Sequence, residues 1–159
     1  MFYEQHRKTP DGKVIGGCKH TSLLLNHRER NKIIINTATK LRKIKDHFDS
    51  IVCCGTSGIL IAPSVAEILD KNIIIVRKQK DICYSPFSCE GATPASYVIV
   101  DDLICSGNTI RHIIKTINED SRKAKCIGVY SYITDDCAYS LAPDPVSYTH
   151  LTLPTKRIV

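Results

Sequence analysis

Residues Tyr97–Ile110 read YVIVDDLICSGNTI: an apolar run, two adjacent acids, a short polar loop with one glycine, and a second apolar stretch. Asp101 and Asp102 stand side by side at the end of the run, where their charges repel. Just beyond them Ser106 and Thr109 offer hydroxyls, and Gly107 permits positive φ. A helix opening near Asn108 would add free N–H groups and the positive end of its dipole. The stretch Cys105–Thr109 therefore reads as a cradle for one phosphate group. Taken alone, SGNT also describes an ordinary helix start capped by Ser106. The acid pair decides between the two. Neighbouring carboxylates need donors, and a ribose diol supplies two O–H groups, with Mg²⁺ close by to relieve the repulsion. Acids followed a few residues later by a phosphate cradle describe a site for ribose 5-phosphate.

Working outward, the chain alternates between buried strands and amphipathic helices. SIVCCG, NIIIVRK, YVIVDD and KCIGVYSYI read as four strands with both faces apolar. Between them, GILIAPSVAEILD and NTIRHIIKTINED read as helices, the first with Pro63 tolerable only near its first turn. Before the first strand, apolar positions Ile34, Ala38, Leu41, Ile44 and Phe48 predict a helix over Asn31–Phe48 with a lysine-rich outer face. The polar stretch Gln79–Ser96, with Pro86, Gly91 and Pro94, has no period and reads as a long loop. This pattern predicts an α/β fold: a parallel sheet flanked by helices on both faces. KVIGGCKHTSLLL, within residues 1–30, reads as a hairpin or a small cap, giving an N-terminal hood.

In open α/β sheets, ligands bind beyond the carboxyl ends of the strands. Three strand ends, CCGTSG, VRKQK and VDDLICSGNT, would share one rim. At the first, Thr56, Ser57 and Gly58 repeat the logic of an anion cradle. At the second, Arg77 and Lys78 could neutralise a second anionic group.

The 159 residues suffice for one domain with a real core, expected over residues 1–145. Hydrophobic content of 43% and charged content of 24% are those of a soluble globular protein. The longest apolar runs fall far short of the roughly 20 residues that span a bilayer. The start MFYEQHRKTPDGK lacks the apolar stretch of a secretory signal, so a cytoplasmic location is expected, with no membrane partner. The net charge of +6 suits an anionic small molecule, while the basic residues of HRERNK and KLRKIK read as solvated helix faces rather than a nucleic-acid stripe. The eight cysteines contain no C-x-x-C pair, so reduced structural thiols are expected and no protein-held metal. Residues 146–159, VSYTHLTLPTKRIV, look like translated sequencing-adapter read-through and are set apart from the fold.

VIVDDLICSGNT resembles the phosphoribosyl-diphosphate (PRPP) signature of type I phosphoribosyltransferases: strand, two acids, a short spacer and a Ser/Thr-Gly loop. FDSIVCCGTSGILIAPSVAEILDKNIIIVRK resembles the preceding segment of that fold, and the likeness covers roughly residues 32–133. The resemblance implies a Mg²⁺-dependent transferase that passes ribose 5-phosphate from PRPP to a nucleobase and releases pyrophosphate. It implies catalytic Asp101 and Asp102 on the ribose hydroxyls, and Cys105, Ser106, Gly107, Asn108 and Thr109 around the 5-phosphate. Thr56, Ser57 and Gly58 would bind pyrophosphate with Arg77 and Lys78, and Gln79–Glu90 would close over the reaction. Cys105 stands where 6-oxopurine relatives carry an acid, and the RK pair with Glu90–Gly91 is similar to the orotate branch. Adenine-type relatives match about as well. The expected partners are PRPP, a nucleobase and a second copy of the chain. Several proteins of this fold sense PRPP or nucleotides and regulate transcription, so a non-catalytic sensor is the alternative.

Overall fold

The structure, a computed structural model, describes residues 7–8, 14–15, 19–78, 87–102, 107–120 and 123–133. Strands β1 (Arg7–Lys8) and β2 (Val14–Ile15) pair antiparallel as a separate two-stranded sheet. Helices α1 (Lys19–Leu25) and α2 (His27–Arg42) follow, so the N-terminal region holds both a hairpin pairing and a helix. Asn26 separates the helices and caps the second, its Oδ1 accepting from the N–H groups of Arg28 and Glu29 at 3.0 and 3.3 Å. That cap starts α2 earlier than the apolar period predicts, and the helix ends at Arg42 rather than Phe48. A single 3₁₀ turn, Lys45–His47, and extended backbone at Phe48 carry Ile44 and Phe48 into the core without further α-helix.

The main sheet is built from β3 (Ser50–Cys54), β4 (Asn72–Val76), β5 (Cys89–Glu90), β6 (Ser96–Asp101) and β7 (Lys125–Ser131). Its order is β5-β4-β3-β6-β7, with all pairs parallel except β4 with β5. The short antiparallel β5 is a correction to the long loop expected across Gln79–Ser96. It carries no alternating apolar pattern and exists because two residues pair with the exposed edge of β4, Ile75 with Glu90 and Val76 with Cys89. Helix α3 (Gly55–Leu69) crosses from β3 to β4, and α4 (Asn108–Asp120) crosses from β6 to β7. Because α3 begins at Gly55, Pro63 lies within the helix rather than in its first turn, on the exposed side.

Both faces of the sheet are covered, as the doubly apolar strands require. Alternation along β3 sends Ile51 and Cys53 to one face and Val52 and Cys54 to the other. The first pair packs with Val98 and Val100 beneath Ile34 and Leu41 of α2 and Ile61 and Val65 of α3. The second packs with Ile74, Val76 and Ile99 beneath Ile110, Ile113 and Ile117 of α4. Gly58 lets α3 approach closely, since a Cβ there would lie 2.8 Å from the Cys53 Cβ and 3.4 Å from the Val100 carbonyl oxygen.

The chain runs from β3 through α3 to one side of β3, then returns to place β6 on the other side. The β3–β6 boundary is therefore the switch point of the sheet, where two crossovers diverge and leave a crevice at the carboxyl ends.

Candidate functional site

Asp101 ends β6 beside that crevice and is only 5% exposed. Burial pushes its carboxyl up to about 7, the neighbouring Asp102 charge adds to the rise, and Lys78 opposes it. Asp101 Oδ1 accepts the Asp102 N–H at 2.9 Å. The pair is held from below by the end of β7: Tyr132 N–H donates to the Asp101 carbonyl at 3.1 Å and Ile133 N–H to the Asp102 carbonyl at 3.0 Å. Ser131 Oγ donates to the same Asp102 carbonyl at 2.8 Å. The backbone is thus fixed while the half-buried Asp102 stands at the crevice.

The β3 end supplies the opposite wall. Gly55 has φ of +73°, the turn that takes the chain from strand into helix, and Thr56, Ser57 and Gly58 form the first turn of α3. N–H groups at this helix start point along the dipole toward the rim. Tyr132 Oη donates to the Ser57 carbonyl at 3.1 Å, tying this turn to the end of β7. From the β4 end, Lys78 reaches across Gly55, where an added Cβ would lie 2.7 Å from its Cε. Arg77 and Lys78 both line the smaller cavity beside Gly55 and Thr56; the Arg77 guanidinium also forms an ion pair with Glu90 at 2.7 Å, and Lys78 also lines the larger cavity. On the β6 side Gly107 has φ of +72°, and Asn108 and Thr109 open α4. Cys105 and Ser106 lie outside the described residues, as do residues 79–86 of the expected closing loop and the 146–159 tail.

The rim thus brings together Asp101, Asp102, Thr56, Ser57, Gly58, Lys78, Gly107, Asn108 and Thr109 from three strand ends. A cavity of about 570 Å³ opens among Cys54, Lys78 and the first two turns of α4. A smaller one of about 200 Å³ lies between Gly55, Thr56 and the end of β4. Sequence reasoning missed the fourth strand end, Ser131–Ile133, which clamps the acid pair. Its signal was present, because a fourth parallel strand must end on the same rim.

A buried and a half-buried acid side by side on a fixed backbone, facing two helix starts and a lysine, can accept hydrogen bonds from a diol while anions sit on either side. The fold has known counterparts. Orotate phosphoribosyltransferase from Francisella tularensis superposes with a TM-score of 0.60 at 15% identity, covering 92% of this chain and 70% of that one. Adenine phosphoribosyltransferase from Saccharomyces cerevisiae gives 0.58 at 19% identity and covers 84% of each chain. This is the type I phosphoribosyltransferase fold. No family model matches the chain. In sequence, the chain is 33% identical over 94 residues to the transcriptional regulator GfcR of Methanocaldococcus jannaschii, spanning 54% of this chain and 44% of that regulator. The chain therefore spans less than half the length of the curated relative it matches. Among the described residues, no helix of this phosphoribosyltransferase fold is long and apolar enough to cross a membrane.

Proposed function

We propose that the chain binds PRPP together with Mg²⁺ and transfers its ribose 5-phosphate to a nucleobase, orotate-like or adenine-like, releasing pyrophosphate. The observation that carries this is the buried Asp101 with the half-buried Asp102 beside it at the switch point, flanked by two helix starts that each carry a positive-φ glycine. Asp102 accepts from the ribose hydroxyls, and Asp101 fixes it through their shared backbone bond. Gly107, Asn108 and Thr109, with Cys105 and Ser106 preceding them, wrap the 5-phosphate. Thr56, Ser57 and Gly58 hold pyrophosphate against Lys78, with Arg77 braced behind by Glu90. Carboxylate oxygens suit a hard divalent cation, and the Asp101 carboxyl is raised first by burial and then by the Asp102 charge beside it. Mg²⁺ bound with PRPP would supply positive charge opposite the departing pyrophosphate. The protein's own share is electrostatic: the acids fix the sugar and offset positive charge that develops on the ring, while Lys78 faces the leaving group.

The test is a panel of nucleobases incubated with labelled PRPP and Mg²⁺, read as nucleotide formed. Nucleotide from any one base supports a transferase. A second reading, a PRPP- or nucleotide-sensing regulator, is favoured by the 33% identity to a transcriptional regulator. PRPP binding by calorimetry with no product from any base would select the sensor. A folded sample that gives no PRPP heat with Mg²⁺ present would overturn both.

A further inference from the structure

Helix α4 has one apolar face, Ile110, Ile113 and Ile117, fully committed to the sheet. Its other face is polar and largely exposed, but ordered in one respect. Asn108, Arg111, His112 and Lys115 recur at offsets of three, four and seven, so they form a single stripe. That stripe, joined by Lys78 from the end of β4, lines the cavity of about 570 Å³, and no described lining residue is acidic. The stripe runs roughly 10 Å along the helix at 1.5 Å per residue, about two turns. A single phosphate at the helix start would touch only its first turn. His112 is oriented by its Nε2, which lies 2.7 Å from the Arg77 carbonyl, and Arg111 Nη1 donates to Asn108 Oδ1 at 3.1 Å. Lys115 is mostly exposed, with Glu119 at 3.9 Å on the side away from the rim.

We infer that this stripe is a second anion site that takes an oligophosphate chain, bound beside the ribose phosphate rather than in place of it. Arg111 and Lys115 supply its charge, His112 orients between them, and Lys78 links it to the rim. Only the simultaneous occupancy rests on the proposed PRPP reading. Arg111, His112 and Lys115 belong to this site alone, while Lys78, Asn108 and Thr109 line the cavity and are shared with the proposed PRPP site.

The experiment is calorimetric titration of inorganic tripolyphosphate into the full chain, alone and again at saturating PRPP and Mg²⁺. Wild type should bind, and the double variant Arg111→Ala, Lys115→Ala should bind at least about tenfold more weakly, since both cationic side chains particular to the stripe are removed. The single variant Lys115→Ala guards against a folding defect and should weaken binding by a smaller factor. Asp102→Asn should not weaken tripolyphosphate binding. Equal affinity in wild type and the double variant would overturn the site, and complete displacement by PRPP would reduce it to part of the ribose phosphate site. If PRPP fails to bind while tripolyphosphate binds through Arg111 and Lys115, the PRPP reading falls and this one stands.

Discussion

Two aspartates at opposite ends of the same sheet show how differently one residue type can be used. Asp49 precedes β3 at the amino rim, and Asp101 closes β6 at the carboxyl rim. Burial would raise the Asp49 carboxyl, but the Ser50 hydroxyl, the Ala95 and Ser96 N–H groups and the Lys71 charge together hold it below its ordinary value. Its Oδ2 accepts from Ala95 and Ser96 at 2.8 and 3.1 Å, which pins the start of β6 beside the start of β3. Among the described residues, Asp101 has the opposite balance: deeper burial, a like charge next door and one backbone donor. An acid whose acceptors are filled by the protein serves the fold. An acid raised by burial and by a like charge beside it stands instead at the carboxyl rim.

The widest separation is expected in pH dependence. Asp101 has a folded value raised to about 7, so its stabilising contribution is complete below its ordinary 3.8 and is lost as pH rises through about 7. Asp49 is depressed, so its contribution is present above 3.8 and lost as pH falls through its folded value. Urea unfolding of the ligand-free protein from pH 4 to 8 should show wild type losing stability relative to Asp101→Asn as pH rises. Parallel profiles for the two proteins would remove the distinction.

Function should divide the same two regions. Asp102→Asn is expected to lose at least about tenfold in PRPP affinity or turnover, because hydrogen bonds to a charged acceptor contribute about 1.5–3 kcal/mol. Its urea midpoint should barely move. Asp49→Ala is expected to do the reverse, costing on the order of 2 kcal/mol of stability through its lost charged hydrogen bonds while PRPP binding at saturation is retained. A ligand-binding defect in Asp49→Ala, in folded protein, would merge the two roles.

Gly55→Ala should give the smallest effect, about 1 kcal/mol in the denaturation midpoint, because alanine is strained at φ of +73°. The nearest obstacle is the far end of Lys78, which can move aside. That movement should still be visible as weaker pyrophosphate inhibition.

Much of this architecture could be read from residue order. Both-face-apolar strands at SIVCC, NIIIV and YVIV named the parallel sheet, and the acids at the end of the third named the rim. What escaped were features set by partners distant in sequence. Strand β5 has no pattern of its own and is defined only by the edge of β4. Glu90 looked like part of a resemblance, yet its partner is Arg77, thirteen residues earlier, across the strand pair. The tie from Tyr132 to Ser57 spans 75 residues and follows from the sheet order, which periodicity does not contain. Helix ends were misplaced where a local contact overrode the apolar period, as at the Asn26 cap.

The clasp formed by β4 and β5 carries one more consequence. Arg77 N–H donates to the Ser88 carbonyl at 2.8 Å, and the Arg77–Glu90 ion pair fastens the same point. Both ends of the intervening chain are thereby anchored to a rigid edge, independently of what joins them. Closing a longer loop costs only about 0.6 kcal/mol per doubling of its length. Alternative segments grafted between the two anchors should therefore leave the β4–β5 pairing in place.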